Sequence, residues 1–154
     1  MEARKTNVVL AIEDNEADAN LLKVLFANSG RKVDLHFAKN GVDGADFIFR
    51  RGNYANFPCP DIVLMDLNIP QKDGRELMKE IKSSVELCRI PVVMLSTTSH
   101  PKEIADSYLC GATAFITKPS DLNEFQKTID AFCTFWFECV KLPQRPLMPP
   151  GGSL

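Results

Sequence analysis

The chain is 154 residues long, 45% hydrophobic and 25% charged, with a formal net charge of -2, which suits one soluble globular domain with a real core. No basic stretch is dense enough for a nucleic-acid or anionic-membrane surface, no run reaches the roughly 18 apolar residues of a membrane span, and residues 1–6 do not read as a signal peptide. A cytoplasmic protein is expected, and its five cysteines (Cys59, Cys88, Cys110, Cys133, Cys139), none in Cys-x-x-Cys spacing, fit reduced thiols used mostly as core filler.

The first apolar run, at about 7–13, ends in Glu13-Asp14. Leu21, Leu22, Leu25 and Phe26 then recur at helical spacing within 16–29, and Ser29-Gly30 closes that helix, as the glycine preference of helix ends explains. A strand at 33–37 precedes a helix at about 42–51 with Ala45, Ile48 and Phe49 inward. The loop 52–60 is long for a helix-to-strand connection. A third strand, 61–66, ends in Asp66, and a helix at 74–83 places Leu77, Met78 and Ile81 on one face. The strand at 91–96 leads to a helix at 101–110 that opens on Pro101, where a missing amide costs little. The last strand, 113–117, runs into Lys118-Pro119. The final helix begins near Ser120-Asp121, whose side-chain oxygens suit a cap, and runs to about Leu142, where Pro143 and Pro146 stop it. Residues 143–154 form a Pro/Gly-rich tail expected to be flexible.

Near-continuous apolar strands suit a parallel sheet covered on both faces. The alternation of strands and helices predicts an α/β fold, a flavodoxin-like (βα)5 doubly wound parallel sheet of strand order 2-1-3-4-5 over residues 1–142. Ligands of such sheets collect beyond the carboxyl ends of the strands, at the switch in strand order between strands 1 and 3. Those two strands end in Glu13-Asp14 and Asp66. Carboxylates roughly 4 Å apart repel by about 4 kcal/mol at an effective dielectric near 20, so three of them call for a hard divalent cation. Mg2+ typically takes one or two carboxylates plus a phosphate; Asp14 and Asp66 would bind it directly and Glu13 through a water. Lys118 adds a point positive charge facing a transferred phosphoryl group, for which Asp66 is a competent acceptor. Ser96 supplies a hydroxyl able to turn toward phosphoryl oxygens. Thr97 and Thr98 compete for that task, although the register from Pro91 favours Ser96.

Residues 7–142 resemble the receiver domain of two-component response regulators. The resemblance rests on Glu13-Asp14, Asp66, Ser96 and Lys118-Pro119 at successive strand ends, and on Leu67-Asn68-Ile69-Pro70-x-x-Asp73-Gly74. More narrowly, the chain is similar to stand-alone regulators that partner cyanobacterial and bacterial phytochromes. The shared features there are Ile12-Glu13-Asp14-Asn15-Glu16-Ala17-Asp18, the long 52–60 loop, Ser96-Thr97-Thr98-Ser99 and Ile116-Thr117-Lys118-Pro119-Ser120-Asp121-Leu122. The resemblance implies that Asp66 takes phosphate from the phosphohistidine of a histidine kinase, with magnesium held by Asp14, Asp66 and the main-chain carbonyl of Asn68. It also implies that Lys118 contacts the phosphate, that the bond before Pro119 is cis, and that Ser96 and Phe115 form the switch. Phe115 lacks the hydroxyl some relatives use for an outer hydrogen bond. The protein is then no enzyme but a signalling domain that catalyses only its own phosphotransfer and dephosphorylation.

The last helix carries more apolar surface than one face needs. Leu122, Phe125, Ile129, Phe132, Cys133, Trp136 and Val140 share a stripe, while Phe135 and Phe137 fall roughly 90° or more to either side. Burial beneath the tail is one explanation. The other is a homodimer contact, since exposed aromatic patches mark interfaces; the resemblance points to the face of the fourth helix, fifth strand and fifth helix, with Phe135, Trp136 and Phe137. With no second domain after that helix, output is expected through a protein contact or a phosphate relay. Two rival readings stay open. One is a small aspartate-nucleophile phosphohydrolase, although such enzymes favour Asp-x-Asp where this chain has Asp66-x-Asn68. The other is a non-phosphorylated interaction scaffold, which the complete acidic set disfavours.

Overall fold

The computed structural model describes residues 6–67, 69 and 71–144. Strands β1 (Asn7–Ile12), β2 (Val33–Ala38), β3 (Ile62–Met65), β4 (Val92–Ser96) and β5 (Ala114–Thr117) form one sheet of order β2-β1-β3-β4-β5. Every neighbouring pair is parallel. Helices α1 (Glu16–Asn28), α2 (Gly41–Ile48), α3 (Gly74–Ser83), α4 (Pro101–Leu109) and α5 (Leu122–Thr134) alternate with the strands. The expected doubly wound architecture and strand order are both observed.

The side-chain period of two divides the strands between two cores. Leu10, Ile12, Val63, Met65, Val92 and Met94 join Ala45 and Ile48 of α2 and Leu77, Met78 and Ile81 of α3 in one. Val9, Ala11, Ile62, Leu64, Val93 and Leu95 join Leu22, Leu25 and Phe26 of α1 and Phe125, Ile129, Phe132 and Cys133 of α5 in the other. Full burial of a Val, Leu or Ile side chain contributes about 1.5–3 kcal/mol. Three central strands saturated with such residues fix the positions of whatever their ends carry.

Helix ends depart from expectation in two places. After α1, Gly30 takes φ +74° as expected of a helix stop. α2, however, ends at Ile48 instead of near residue 51, because Arg50 adopts φ 57° and its guanidinium turns to the Ala55 carbonyl at 2.8 Å. The 52–60 loop then makes a 3-10 turn at Gly52–Tyr54 and stacks Tyr54 and Phe57 on Phe47, at 5.4 and 5.5 Å.

The larger correction is in the last helix. Regular α-helix stops at Thr134 and passes into a π-helical turn, Phe135–Cys139, with Val140 N–H donating to the Phe135 carbonyl at 2.9 Å; no helix continues to Leu142. The extra residue in that turn rotates Phe137 inward, edge-on to Phe132 at 5.9 Å. Phe137 is therefore half-buried against the core, as Trp136 is, whereas Phe135 is 53% exposed. Leu122, expected on the inward stripe, is exposed as the first residue of α5. Arg31 braces the turn, its Nη2 donating to Thr134 Oγ1 at 2.8 Å and Glu138 Oε1 at 2.7 Å. Cys59 and Cys133 are buried but Cys88 and Cys139 are exposed, so thiols fill the core less than expected. Most of the expected tail, residues 145–154, lies outside the described residues.

α4 is the least embedded helix, with Ser107 its one buried residue. On its outer side the Tyr108 hydroxyl accepts from the Phe115 N–H at 3.1 Å, covering an amide of β5, which is an edge strand. A hydrogen bond contributes about 1 kcal/mol net. Tyr108→Phe should therefore speed exchange of the Phe115 amide about fivefold by NMR and leave β1 amides unchanged. An unaltered Phe115 rate would refute the contact.

Candidate functional site

The sheet carries its charged residues to one rim. Glu13 and Asp14 follow β1, Asp66 follows β3, Ser96 ends β4, and Lys118 follows β5. The ladder continues into these positions: Glu13 N–H donates to the Ala38 carbonyl at 3.0 Å, Asp66 N–H to the Ile12 carbonyl at 3.1 Å, and Lys118 N–H to the Ser96 carbonyl at 2.7 Å. One carboxylate oxygen from each of Glu13, Asp14 and Asp66 lies within 4.8 Å of the others. Lys118 Nζ reaches among them, 2.7 Å from Glu13 Oε2 and 3.2 Å from Asp66 Oδ2.

Depth separates the roles. The side chains of Lys118 and Glu13 are 7% and 4% exposed, Asp66 is partly open, and Asp14 is exposed. Burial pushes the Glu13 carboxyl up, opposed by the Lys118 hydrogen bond and the Asn15 N–H, and the Asp66 charge adds to the rise. Burial works against the Lys118 ammonium too, but Glu13 and Asp66 outweigh it and hold that amine above the ordinary lysine range. The result is a sunken Lys118–Glu13 pair with Asp66 and Asp14 opening outward from it.

Three carboxylates balanced by one ammonium leave a negative pocket of oxygen donors, which fits a hard divalent cation. Asp14 and Asp66, the two more open carboxylates, would be its direct ligands, while Glu13 lies buried between Lys118 and the Asn15 N–H. Bound there, the cation would supply charge neutralisation for an incoming phosphoryl group. Asn68, the remaining expected ligand, lies outside the described residues.

Ser96 is buried at the end of β4, and its hydroxyl accepts from the Thr98 N–H at 3.4 Å without bonding any of the carboxylates. Thr97 is exposed, and Thr98 faces the local backbone, its Oγ1 accepting from His100 N–H at 3.2 Å. Phe115 packs half-buried against the core shared with Met94. The expected cis bond before Pro119 is not found, for no described peptide bond is cis. Trans is intrinsically favoured at proline by about 0.5–1 kcal/mol, and in that form Lys118 already meets both carboxylates.

Asp18 went unassigned in the sequence although it belongs here, with Oδ2 3.6 Å from Lys118 Nζ. An acid in a first helical turn usually complements the helix dipole, and no pattern in the chain separates that use from this one.

Glycines let other backbone approach Asp66 and Lys72 closely. A Cβ on Gly74 would stand 3.0 Å from the Asp66 carbonyl, and one on Gly41 would overlap the carbonyl of Lys72. Lys72 is itself anchored to Glu80 of α3. Overpacking against backbone costs about 1–3 kcal/mol, so Gly41→Ala should lower unfolding stability by that amount in urea; an unchanged midpoint would contradict the close approach.

The rim is shallow, with about 10 Å³ of space beneath Glu13 and Asp66, room for roughly one water. A larger concavity of about 830 Å³, lined by Arg31, Trp136 and Phe137 among others, shares no residue with the rim.

Fold and rim together define a signalling domain of the receiver class. The chain belongs to the response regulator receiver domain family, whose family model matches residues 9–130. It is 35% identical over 142 residues to Response regulator Rcp1 of Synechocystis sp., covering 92% of this chain and 97% of that protein. The phosphorylated cyanobacterial phytochrome response regulator RcpA superposes with a TM-score of 0.86 at 36% identity, over 91% of this chain and 100% of that one. The Mn2+-bound form of response regulator Rcp1 superposes with a TM-score of 0.82 at 36% identity, over 89% and 99%. Among the described residues no helix is long and apolar enough to cross a membrane.

Proposed function

We propose that the protein is a response regulator that accepts a phosphoryl group on Asp66 from the phosphohistidine of a phytochrome-type histidine kinase, in a Mg2+-dependent reaction. The observation that carries this is the placing of Lys118 Nζ 3.2 Å from Asp66 Oδ2, inside a ring of further carboxylates. An Asp66 oxygen attacks phosphorus, the P–N bond breaks with its electron pair passing to the imidazole, and an acyl phosphate forms. The Lys118 ammonium gives up no proton; it holds positive charge where the phosphoryl oxygens arrive. Asp14, Asp66 and the Asn68 carbonyl are the proposed Mg2+ ligands, with Glu13 in the outer position; the Mn2+-bound form of Rcp1 supports a divalent site. The phytochrome assignment is supported by the likeness to RcpA.

The switch is proposed to run through Ser96 and Phe115. The Ser96 hydroxyl, which accepts a long 3.4 Å bond from the Thr98 N–H, turns to the new phosphoryl oxygens, and Phe115 follows by packing. Moving such an equilibrium from 1:99 to 99:1 takes about 5.5 kcal/mol of differential stabilisation. With Mg2+ and acetyl phosphate, each chain should gain one phosphoryl group by mass spectrometry and lose it slowly. Continuous phosphate release beyond one equivalent would instead reveal a phosphohydrolase.

Output is proposed to leave through a homodimer on the α4-β5-α5 face, where Tyr108, Leu109 and Phe135 are exposed and Trp136 lies half-buried against Phe135 and Phe132. Because Phe137 is half-buried against Phe132 and Phe135 is the exposed ring, Phe135→Ala is the clean test. Loss of a buried aromatic anchor costs more than about 1.4 kcal/mol, or tenfold, so sedimentation should show a dimer at least about tenfold weaker. A dimer of unchanged affinity would remove Phe135 from the interface.

A further inference from the structure

The roles proposed above leave one carboxylate of the rim unused. Asp18 Oδ2 lies 3.6 Å from Lys118 Nζ, and the three acids around that ammonium differ in depth. Glu13, Asp66 and Asp18 side chains are 4%, 16% and 46% exposed, which makes Asp18 the outermost. Its place is set by α1: the Asn15 side chain accepts from the Asp18 N–H at 3.0 Å and caps the helix. Glu16 supplies a first-turn acid for the helix dipole without it. Asp18 differs by reaching across to the lysine.

We infer that Asp18 is a specificity-determining residue of the phosphoacceptor site, an anionic gate at Lys118 that disfavours free anionic phosphodonors. The inference rests on the reading of Asp66 as acceptor. A small donor such as acetyl phosphate carries its own negative charge and meets Asp18 on the solvent side of Lys118. At that exposure the repulsion acts through a medium close to water, so it is worth roughly tenfold in rate at most, and it fades with ionic strength. A kinase presents its phosphohistidine within a protein interface, whose many contacts outweigh one repulsive charge. The gate therefore tilts the site away from free acyl phosphates and toward protein-delivered phosphate.

Asp18→Asn removes the charge and keeps the shape. With acetyl phosphate and Mg2+ at low salt, this variant should be modified about three- to tenfold faster than the parent protein. In about 1 M KCl, where the Debye length is roughly 3 Å, the ratio should fall below about twofold. Asp18→Glu, which restores the charge, should return to the parent rate. A calorimetric titration with Mg2+ alone gives a readout independent of phosphorylation, and its affinity should drop about two- to fivefold in Asp18→Asn as one negative charge leaves the pocket. A rate ratio that is unchanged, inverted or insensitive to salt overturns the gate while Asp66 stands as acceptor, and an unchanged Mg2+ affinity also counts against it. A parent protein that acetyl phosphate never modifies overturns the acceptor reading and the gate together.

Discussion

Asp66→Asn should yield a folded protein that gains no phosphoryl group from any donor. The amide is nearly the same shape as the carboxylate, and the backbone bond from residue 66 to the Ile12 carbonyl is untouched, so β3 keeps its register. What disappears is the nucleophile, because the amide is neutral and its oxygen lacks the full negative charge that a carboxylate brings to phosphorus. Stability without metal should change by less than about 1 kcal/mol, since relief of repulsion among the three carboxylates is offset by the lost Lys118–Asp66 contact. The stabilisation that Mg2+ confers by binding the folded state should shrink correspondingly. Intact-mass measurement and thermal melts with and without Mg2+ check both halves. A phosphoryl group still arriving on the variant would move the acceptor elsewhere.

Lys118→Ala should be the most destabilising change at the rim. Its ammonium is buried against Glu13 at 2.7 Å, and breaking a buried pair by removing one partner costs about 3–5 kcal/mol. Phosphorylation should slow about a hundredfold or more, the usual cost of deleting one preorganised charge-stabilising donor. The deficit also has a pH signature. Without Lys118, burial and the Asp66 charge both push Glu13 upward and only the Asn15 N–H pulls back. A carboxyl whose folded pKa is raised contributes stability below its unfolded pKa, and loses it as pH rises through the folded value. The variant should therefore fall furthest behind at neutral pH and recover on acidification toward the ordinary glutamate range. Urea denaturation at pH 7.5 and pH 5 measures this; a deficit independent of pH would disprove the tie to Glu13.

Strand order and rim were legible because buried parallel strands leave an unbroken apolar record. Val8 through Ile12 and Ile62 through Met65 are each followed at once by the acids that matter, so locating the strands located the site. Phe137 was misplaced because a helical wheel assumes 3.6 residues per turn, and the π-helical turn at 135–139 breaks that assumption. The end of α2 was hidden because Arg50, not glycine, takes the left-handed conformation. Arg31 with Glu138, and Lys118 with Asp18, meet only through the tertiary fold. Such long-range pairs leave no local periodicity to read.

α4 buries only Ser107 fully and is otherwise tied by the Tyr108 hydroxyl to β5 and by Asp106 to Arg75 of α3 at 3.9 Å. On the opposite face α1 and α5 are bolted together, through Gln126 to the Leu25 carbonyl at 2.8 Å and through Arg31 to the π-helical turn. The molecule thus has a stiff flank and a compliant one, and local opening is cheapest where apolar contact is sparsest. Local opening therefore costs least at α4, on the flank away from the α1–α5 cross-links.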